Sequence, residues 1–349
     1  MNMTGKPKLL FIKHKDFTAR TVDNDIAILS QKYNVILYNA DISKNTTFVI
    51  GILKQLVYLI LNIHRFNAIF IWFADYHSYL PTLFSKILKK KSILCLGGYD
   101  GHWIIPGNPR TAKEKLRKFC VVKSVKYSSF VFTVSKWLAG FMDGVVEKNK
   151  IDVAYCCIDS YAFGNSEDLQ KENIILTVGG GGYLYETKRK KLDFFIEVGN
   201  YFTLKFPEYD AKFILIGHDE NSETYLYLKQ YIKSDKIQLL PVINNISQLK
   251  VFYQKAKIYS QFSEYEAFGI SIIEAMLNKC IPIVFNGGAM PEVVGNAGII
   301  INKYNIEYTA GLMKDILDDK YASLTEKAKQ RVEENFTINH RKEILFKYI

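Results

Sequence analysis

Glu264-Tyr265-Glu266-Ala267-Phe268-Gly269-Ile270-Ser271-Ile272-Ile273-Glu274-Ala275-Met276 sets two carboxylates on either side of a glycine, where a strand gives way to a helix. The strand ends at about Phe262. Gly269 allows backbone to approach a ligand closely, and Gly269–Asn278 reads as the helix. A helix start offers N–H groups and a positive dipole end to a diphosphate. Glu274 falls about one and a half turns inside, where it can accept hydrogen bonds from a ribose diol, while Glu266 on the loop can reach a sugar. Spacing alone fits equally a solvent-facing pair on an ordinary helix, the commoner fate of Glu.

The two segments beyond Met276 narrow the choice. Lys279-Cys280-Ile281-Pro282-Ile283-Val284 and then Asn286-Gly287-Gly288-Ala289-Met290-Pro291-Glu292-Val293-Val294-Gly295 give a tight stop, a buried strand and a Gly-Gly loop in fixed order. Elsewhere, apolar runs of strand length alternate with helix-length amphipathic segments. Strands are expected at 8–13, 34–38, 68–73, 92–96, 130–134 and 153–157, with helices near 23–31, 48–63, 79–88, 111–126 and 136–146. A polar linker is expected at Ser160–Asn173. A second series then runs through strands at 174–178, 212–216, 237–240, 257–261, 281–285 and 298–301, with helices at 192–204, 224–232, 246–255 and 269–278, and closes with helices at 308–317 and 338–348. The order predicts an α/β fold of two doubly wound, Rossmann-like domains facing each other across a cleft. The expected boundaries are 1–162, 163–334, and a helical segment 335–349 packing back toward the first domain.

Residues 264–300 resemble the donor-site signature of the family 4 retaining glycosyltransferases (group 1, GT-B fold), with its Glu-Gly-Phe-Gly, Leu-Glu-Ala-Met and Gly-Gly-x-Pro-Glu-Val-Val-Gly segments. The resemblance implies that Glu274 holds the donor ribose and Glu266 contacts the transferred sugar. It also implies that the N–H groups around Phe268, Gly269, Ile270 and Ser271 line the sugar and phosphate site. Ala267 stands where the family has Gly, which a negative φ accommodates. Ile175-Leu176-Thr177-Val178-Gly179 resembles the family's first donor-domain strand. The usual Arg after it is replaced by Gly180, Gly181 and Gly182, leaving Lys190 as the phosphate cation, with Lys188 or Arg189 to substitute for the missing charge. The bland reading of Lys188–Lys191 is a solvated charge run. Phe336-Thr337-Ile338-Asn339 resembles the element that crosses back to the first domain.

The first domain is expected to hold the acceptor. Gly97-Gly98-Tyr99-Asp100-Gly101-His102-Trp103 follows its fourth strand, where similar enzymes carry a polar residue, often His, near the reacting sugar; Asp100 or His102 fits that role, and a turn or polar cluster fits as well. Asp75 and His77 are secondary candidates. The net charge of +11 is lopsided: residues 1–165 carry 23 Lys+Arg against 11 Asp+Glu, and residues 166–349 carry 23 against 24. The basic helix 111–126 and Lys86, Lys89, Lys90 and Lys91 suit an anionic membrane surface and hence a lipid-linked acceptor; the plainer reading is a solvated face. The apolar stretch 48–63 contains Lys54 and Gln55, falls short of a membrane span, and reads as a half-buried helix.

The five cysteines show no paired spacing, which suits reduced thiols, and no secretory leader is visible, so the expected location is cytoplasmic, peripheral on the inner face of the membrane. The expected reaction is metal-independent transfer of a hexose-type sugar, with retention, from a nucleoside-diphosphate sugar to an acceptor hydroxyl on a glycan or lipid-linked precursor. The expected cofactor is none, since no Asp-x-Asp metal clasp stands in place. Front-side attack with the leaving phosphate taking the acceptor's proton is what the resemblance implies. The alternatives are a sugar-nucleotide epimerase or hydrolase on the same fold, and a non-enzymatic anion-binding protein. No nucleic-acid motif is recognisable, so nucleic acid is not an expected partner.

Overall fold

The computed structural model describes residues 5–17, 19–42, 45–104, 109, 111–160, 163, 169–180 and 182–349. Half of the expected linker at Ser160–Asn173 lies outside the described residues, as does Gly181, and its last two residues, Glu172 and Asn173, begin a strand. The chain divides into two compact units, residues 1–157 with 338–349 and residues 158–337.

Among the described residues, each unit contains one six-stranded sheet, and every strand pair is parallel. The first sheet is built from β1 (Lys8–His14), β2 (Asn34–Ala40), β3 (Ala68–Trp72), β4 (Lys91–Leu96), β5 (Phe130–Thr133) and β6 (Ile151–Val153) in the order β2-β1-β3-β4-β5-β6. The second contains β7 (Glu172–Val178), β8 (Lys212–Ile216), β9 (Ile237–Leu240), β10 (Ala256–Gln261), β11 (Ile281–Phe285) and β12 (Ile299–Ile301) in the order β12-β11-β10-β7-β8-β9. Strands such as Ala-Ile-Phe-Ile-Trp in β3 are buried at every residue, as helices on both faces of a parallel sheet require. The strand order reverses between β1 and β3 and between β7 and β10, and a ligand site is expected at the carboxyl ends beside such a switch.

Two elements depart from the sequence expectation. The strand expected at 153–157 pairs only over Ile151–Val153. Beyond it the Ala154 and Tyr155 carbonyls accept from the Arg341 guanidinium at 2.5 and 2.7 Å, in place of a neighbouring strand. The helix expected over 136–146 stops at Ala139 and tightens into a 3-10 turn, Gly140–Met142. The helix Asn45–Asn62 is half-buried, as expected: Gly51, Gln55 and Leu59 face inward, while Val49, Ile50, Leu53, Val57, Ile60 and Leu61 are each more than half exposed. Helices at Leu184–Arg189 and Ser323–Asn335 also form where none was expected.

The last helix, Ile338–Tyr348, is held within the first unit by Arg341, which is 1% exposed. Its guanidinium meets Asp25 through two hydrogen bonds, 2.5 and 2.7 Å long, and Asp25 also accepts from Trp72 Nε1 at 2.8 Å. A buried two-pronged pair with its remaining donors satisfied fixes geometry, and losing one partner strands a charge in the core.

Candidate active site

In the second unit the loop leaving β10 gathers a polar network at the switch point. Glu266 Oε1 accepts from Ser263 Oγ at 2.8 Å and from Gln261 Nε2 at 3.0 Å, and lies 3.6 Å from Arg189 Nη1. Gln261 Oε1 in turn accepts from the Tyr259 hydroxyl at 2.8 Å and from Ser271 Oγ at 3.1 Å. Gln261 therefore couples the acidic loop to the first turn of the helix Ile270–Leu277, and its amide orientation is set by partners on both sides. Burial pushes the Tyr259 phenol far above its ordinary range, so it stays a donor. Gly269 precedes the helix at φ +102°, a conformation strained for other residues. Ala267 has no positive φ, which is the condition for replacing a glycine there.

Glu274 is 2% exposed, with Oε2 accepting from the Tyr253 hydroxyl at 2.9 Å. Phe268 is buried with its ring edge-on to Phe336, while Ile270 and Ser271 are half-buried at the helix start.

The Gly-Gly loop packs on the same acidic segment. A Cβ on Gly287 would lie 2.1 Å from the Glu264 carbonyl oxygen, and one on Gly288, at φ +60°, 2.3 Å from that of Glu266. The Ala289 N–H donates to the Glu266 carbonyl at 2.8 Å. These glycines are thus required by protein backbone, which seats the carboxylate loop.

Across the switch point, Gly179 and Gly180 follow β7. A Cβ on Gly180 would sit 2.8 Å from the Gly217 carbonyl, so two backbones touch there. Lys190 Nζ reaches the Gly180 carbonyl at 3.3 Å. His218 lies behind this turn, with Nε2 3.1 Å from the Gly179 carbonyl and Nδ1 2.9 Å from Thr224 Oγ1. A carbonyl only accepts, so Nε2 carries the proton, and burial lowers the imidazole pKa and keeps the ring neutral.

The basic run 188–191 is not a solvated stripe. Arg189 binds Glu186 at 2.6 Å, donates to the Tyr265 carbonyl and stacks on the Tyr265 ring. Lys191 pairs with Glu264 at 2.8 Å, and Lys188 lies over the Tyr227 ring. Arg189 accordingly braces the acidic loop. Gln261, Ser263 and His218 are the residues of the candidate site that motif reading missed. Their one available signal was position, at or just beyond a strand's carboxyl end.

In the first unit Asp100 is fully buried. Its Oδ1 accepts from the Gly98 and Gly101 N–H groups at 2.8 and 3.1 Å, and its Oδ2 from Ala74 and Gly97 at 3.1 and 3.2 Å. Burial raises this carboxyl to about 6 against the opposing pull of the four N–H groups. His102 is exposed, with its ring edge-on to Trp103. Asp75 caps the helix Tyr76–Ile87 and binds Arg117 at 2.9 Å, while His77 is buried with Nε2 3.0 Å from the Trp72 carbonyl. Among the described residues no group of three or more His, Cys, Asp or Glu is arranged to hold a metal ion.

Residues 163–335 match the family described as "Glycosyl transferases group 1", a span lying within the second unit. The second unit belongs to the group 1 glycosyl transferases. A probable sucrose-phosphate synthase of Thermosipho melanesiensis is 28% identical over 157 residues, which is 43% of this chain and 36% of that protein. The chain therefore matches little more than a third of that relative's length.

Solved structures extend the likeness in fold to both units of the chain. The sucrose-phosphate synthase of Thermosynechococcus elongatus superposes with a TM-score of 0.74 at 13% identity, covering 98% of each chain. Anabaena HepE in complex with UDP and glucose gives 0.73 at 14%, again covering 98% of each. A Rickettsia africae glycosyltransferase gives 0.71 at 18%, covering 98% of this chain and 97% of that one. The shared architecture is the GT-B fold expected from the sequence.

Proposed function

We propose that the protein transfers a hexose-type sugar from a nucleoside-diphosphate sugar to an acceptor hydroxyl, with retention at the anomeric carbon and without a metal ion. The observation that carries this reading is the braced carboxylate of Glu266, held by Gln261 and Ser263 at the carboxyl end of β10, with Lys190 against the glycine turn after β7. The diphosphate lies between that turn and the start of the helix Ile270–Leu277, where Lys190 and the helix dipole meet the charge that develops as the leaving group departs. Glu266 hydrogen-bonds the sugar hydroxyls. The ribose sits against the helix's first turns, its diol meeting the Glu274 carboxylate that Tyr253 orients. The leaving phosphate takes the acceptor's proton. UDP in one HepE structure makes a UDP-sugar the first donor to try.

On the acceptor side, Asp100 positions the loops after β3 and β4 through four backbone N–H groups, which leaves His102 as the exposed polar group to approach the acceptor. A glycan or lipid-linked hydroxyl compound is the acceptor class proposed.

Steady-state kinetics of Lys190→Met and Glu266→Gln test the assignment. Lys190→Met should lower kcat by roughly 100-fold, since the lost cation acts mainly on the transition state. Glu266→Gln should lower kcat/KM with the fold intact. Wild-type constants in both variants would reject the site.

A further inference from the structure

The helix Asn45–Asn62, the only one among the described residues long and apolar enough to cross a membrane, does not behave as a span. Gln55 Nε2 donates to the His77 carbonyl at 2.9 Å from its inward stripe, so this helix is fastened to the first unit as a structural layer. Its outward face presents Val49, Ile50, Leu53, Val57, Ile60 and Leu61, each more than half exposed, along an axis of about 27 Å. The layer continues sideways. Phe48 packs on Tyr76 of the helix Tyr76–Ile87, whose Tyr79 meets Phe119 of the helix Ala112–Tyr127, and Leu116 and Phe119 are again exposed.

Cations border this apolar face. Lys90 donates to the Phe66 carbonyl at 2.6 Å, just past the helix's end, and beside it an open pocket of about 470 Å³ is lined by Lys86, Lys89, Lys90, Lys91, Lys126 and Lys150. Lys150 is paired with Glu147, and no carboxylate is among the pocket's lining residues. Residues 45–127 contain 13 Lys+Arg and only three acids. Of these, Asp75 is bound by Arg117, Asp100 is buried and Glu114 caps its helix. A second copy docking here face to face would bring lysine onto lysine. An apolar band edged by cations matches the acyl boundary and phosphates of an anionic bilayer.

We propose that this face docks on an anionic membrane, with the helix Asn45–Asn62 lying flat in the headgroup–acyl boundary and the lysine pocket receiving lipid phosphates. The surface belongs to the first unit alone and does not depend on the donor-site reading. The test is flotation of the full chain with vesicles of phosphatidylcholine, or of phosphatidylcholine and phosphatidylglycerol in equal parts. The wild type should float with the mixed vesicles at least ~10-fold more than with the neutral ones, and salt should weaken this. A Val49→Ser/Leu53→Ser/Val57→Ser/Ile60→Ser variant should keep its Tm and lose that binding at least ~10-fold, because its changes touch only exposed side chains. A Lys89→Gln/Lys91→Gln/Lys126→Gln variant should lose the preference for anionic lipid. Three results would overturn the proposal: no flotation of the wild type with either vesicle, undiminished flotation of the serine variant, or self-association that the serine variant abolishes and vesicles do not disturb.

Discussion

Asp100 accepts four backbone N–H groups from two loops, and an amide in its place would turn its NH2 toward two of those donors. Asp100→Asn should therefore destabilise the fold by about 2–4 kcal/mol in urea denaturation at pH 5. The pH dependence has a definite sign. Burial lifts this carboxyl from 3.8 to about 6, so its stabilising protonated form is complete below about 4 and is lost as pH rises through about 6. The wild type should lose up to about 3 kcal/mol from this group between those limits, and the variant, lacking the proton, should not. The gap between them should narrow from pH 5 to pH 7.5, and a constant gap would contradict the burial argument. At this scale the sequence yields only what lies in a local pattern. Glu266 and Glu274 stand out because spacing and neighbours belong to one segment. Gln261 and the bracing role of Arg189 do not, because the Tyr265 carbonyl that Arg189 reaches lies more than seventy residues away and a glutamine ending a strand has no characteristic spacing.

The Gly-Gly loop shows the same limit at the level of elements. A glycine pair after a strand suggests ligand approach, yet Gly287 and Gly288 are pressed against the backbone of Glu264 and Glu266. Gly288→Ala should cost about 2–4 kcal/mol, combining overpacking with a left-handed φ, and should raise donor KM by displacing Glu266. Differential scanning calorimetry checks the first part; an unchanged Tm with a raised KM would mean that the glycine serves a ligand directly. Eleven of the twelve strand positions were legible because buried parallel strands are continuous apolar runs bounded by polar turns, and the twelfth, expected at 153–157, forms at Ile151–Val153. Boundaries failed where tertiary contacts decide them: the strand after β6 is pre-empted by Arg341, and the helix Ser323–Asn335 buries only Ala328 and Val332, too little to imprint an apolar period. The helix Asn45–Asn62 was legible as half-buried, but apolar composition alone does not say which face meets the core.

At the level of the whole molecule, two parallel sheets carry different strand orders, each with one reversal, and the sequence's basic half coincides with the unit bearing the cation-edged apolar face. Periodicity gives the alternation of strands and helices but not strand order, which depends on crossovers that composition does not encode. The donor signature supplied what periodicity lacked, and it covers only the second unit; the acceptor side has no comparable motif. The central claim is that the second unit holds a nucleoside-diphosphate sugar where β7 and β10 part. Thermal unfolding of the wild type and of Lys190→Met with UDP-, GDP- and ADP-sugars tests it most directly. One donor at ~100 times its Kd should stabilise the wild type by about 2.7 kcal/mol, or roughly 5–10 °C in Tm for a unit of this size, and shift Lys190→Met far less. No shift with any donor, or an equal shift in the variant, would contradict it.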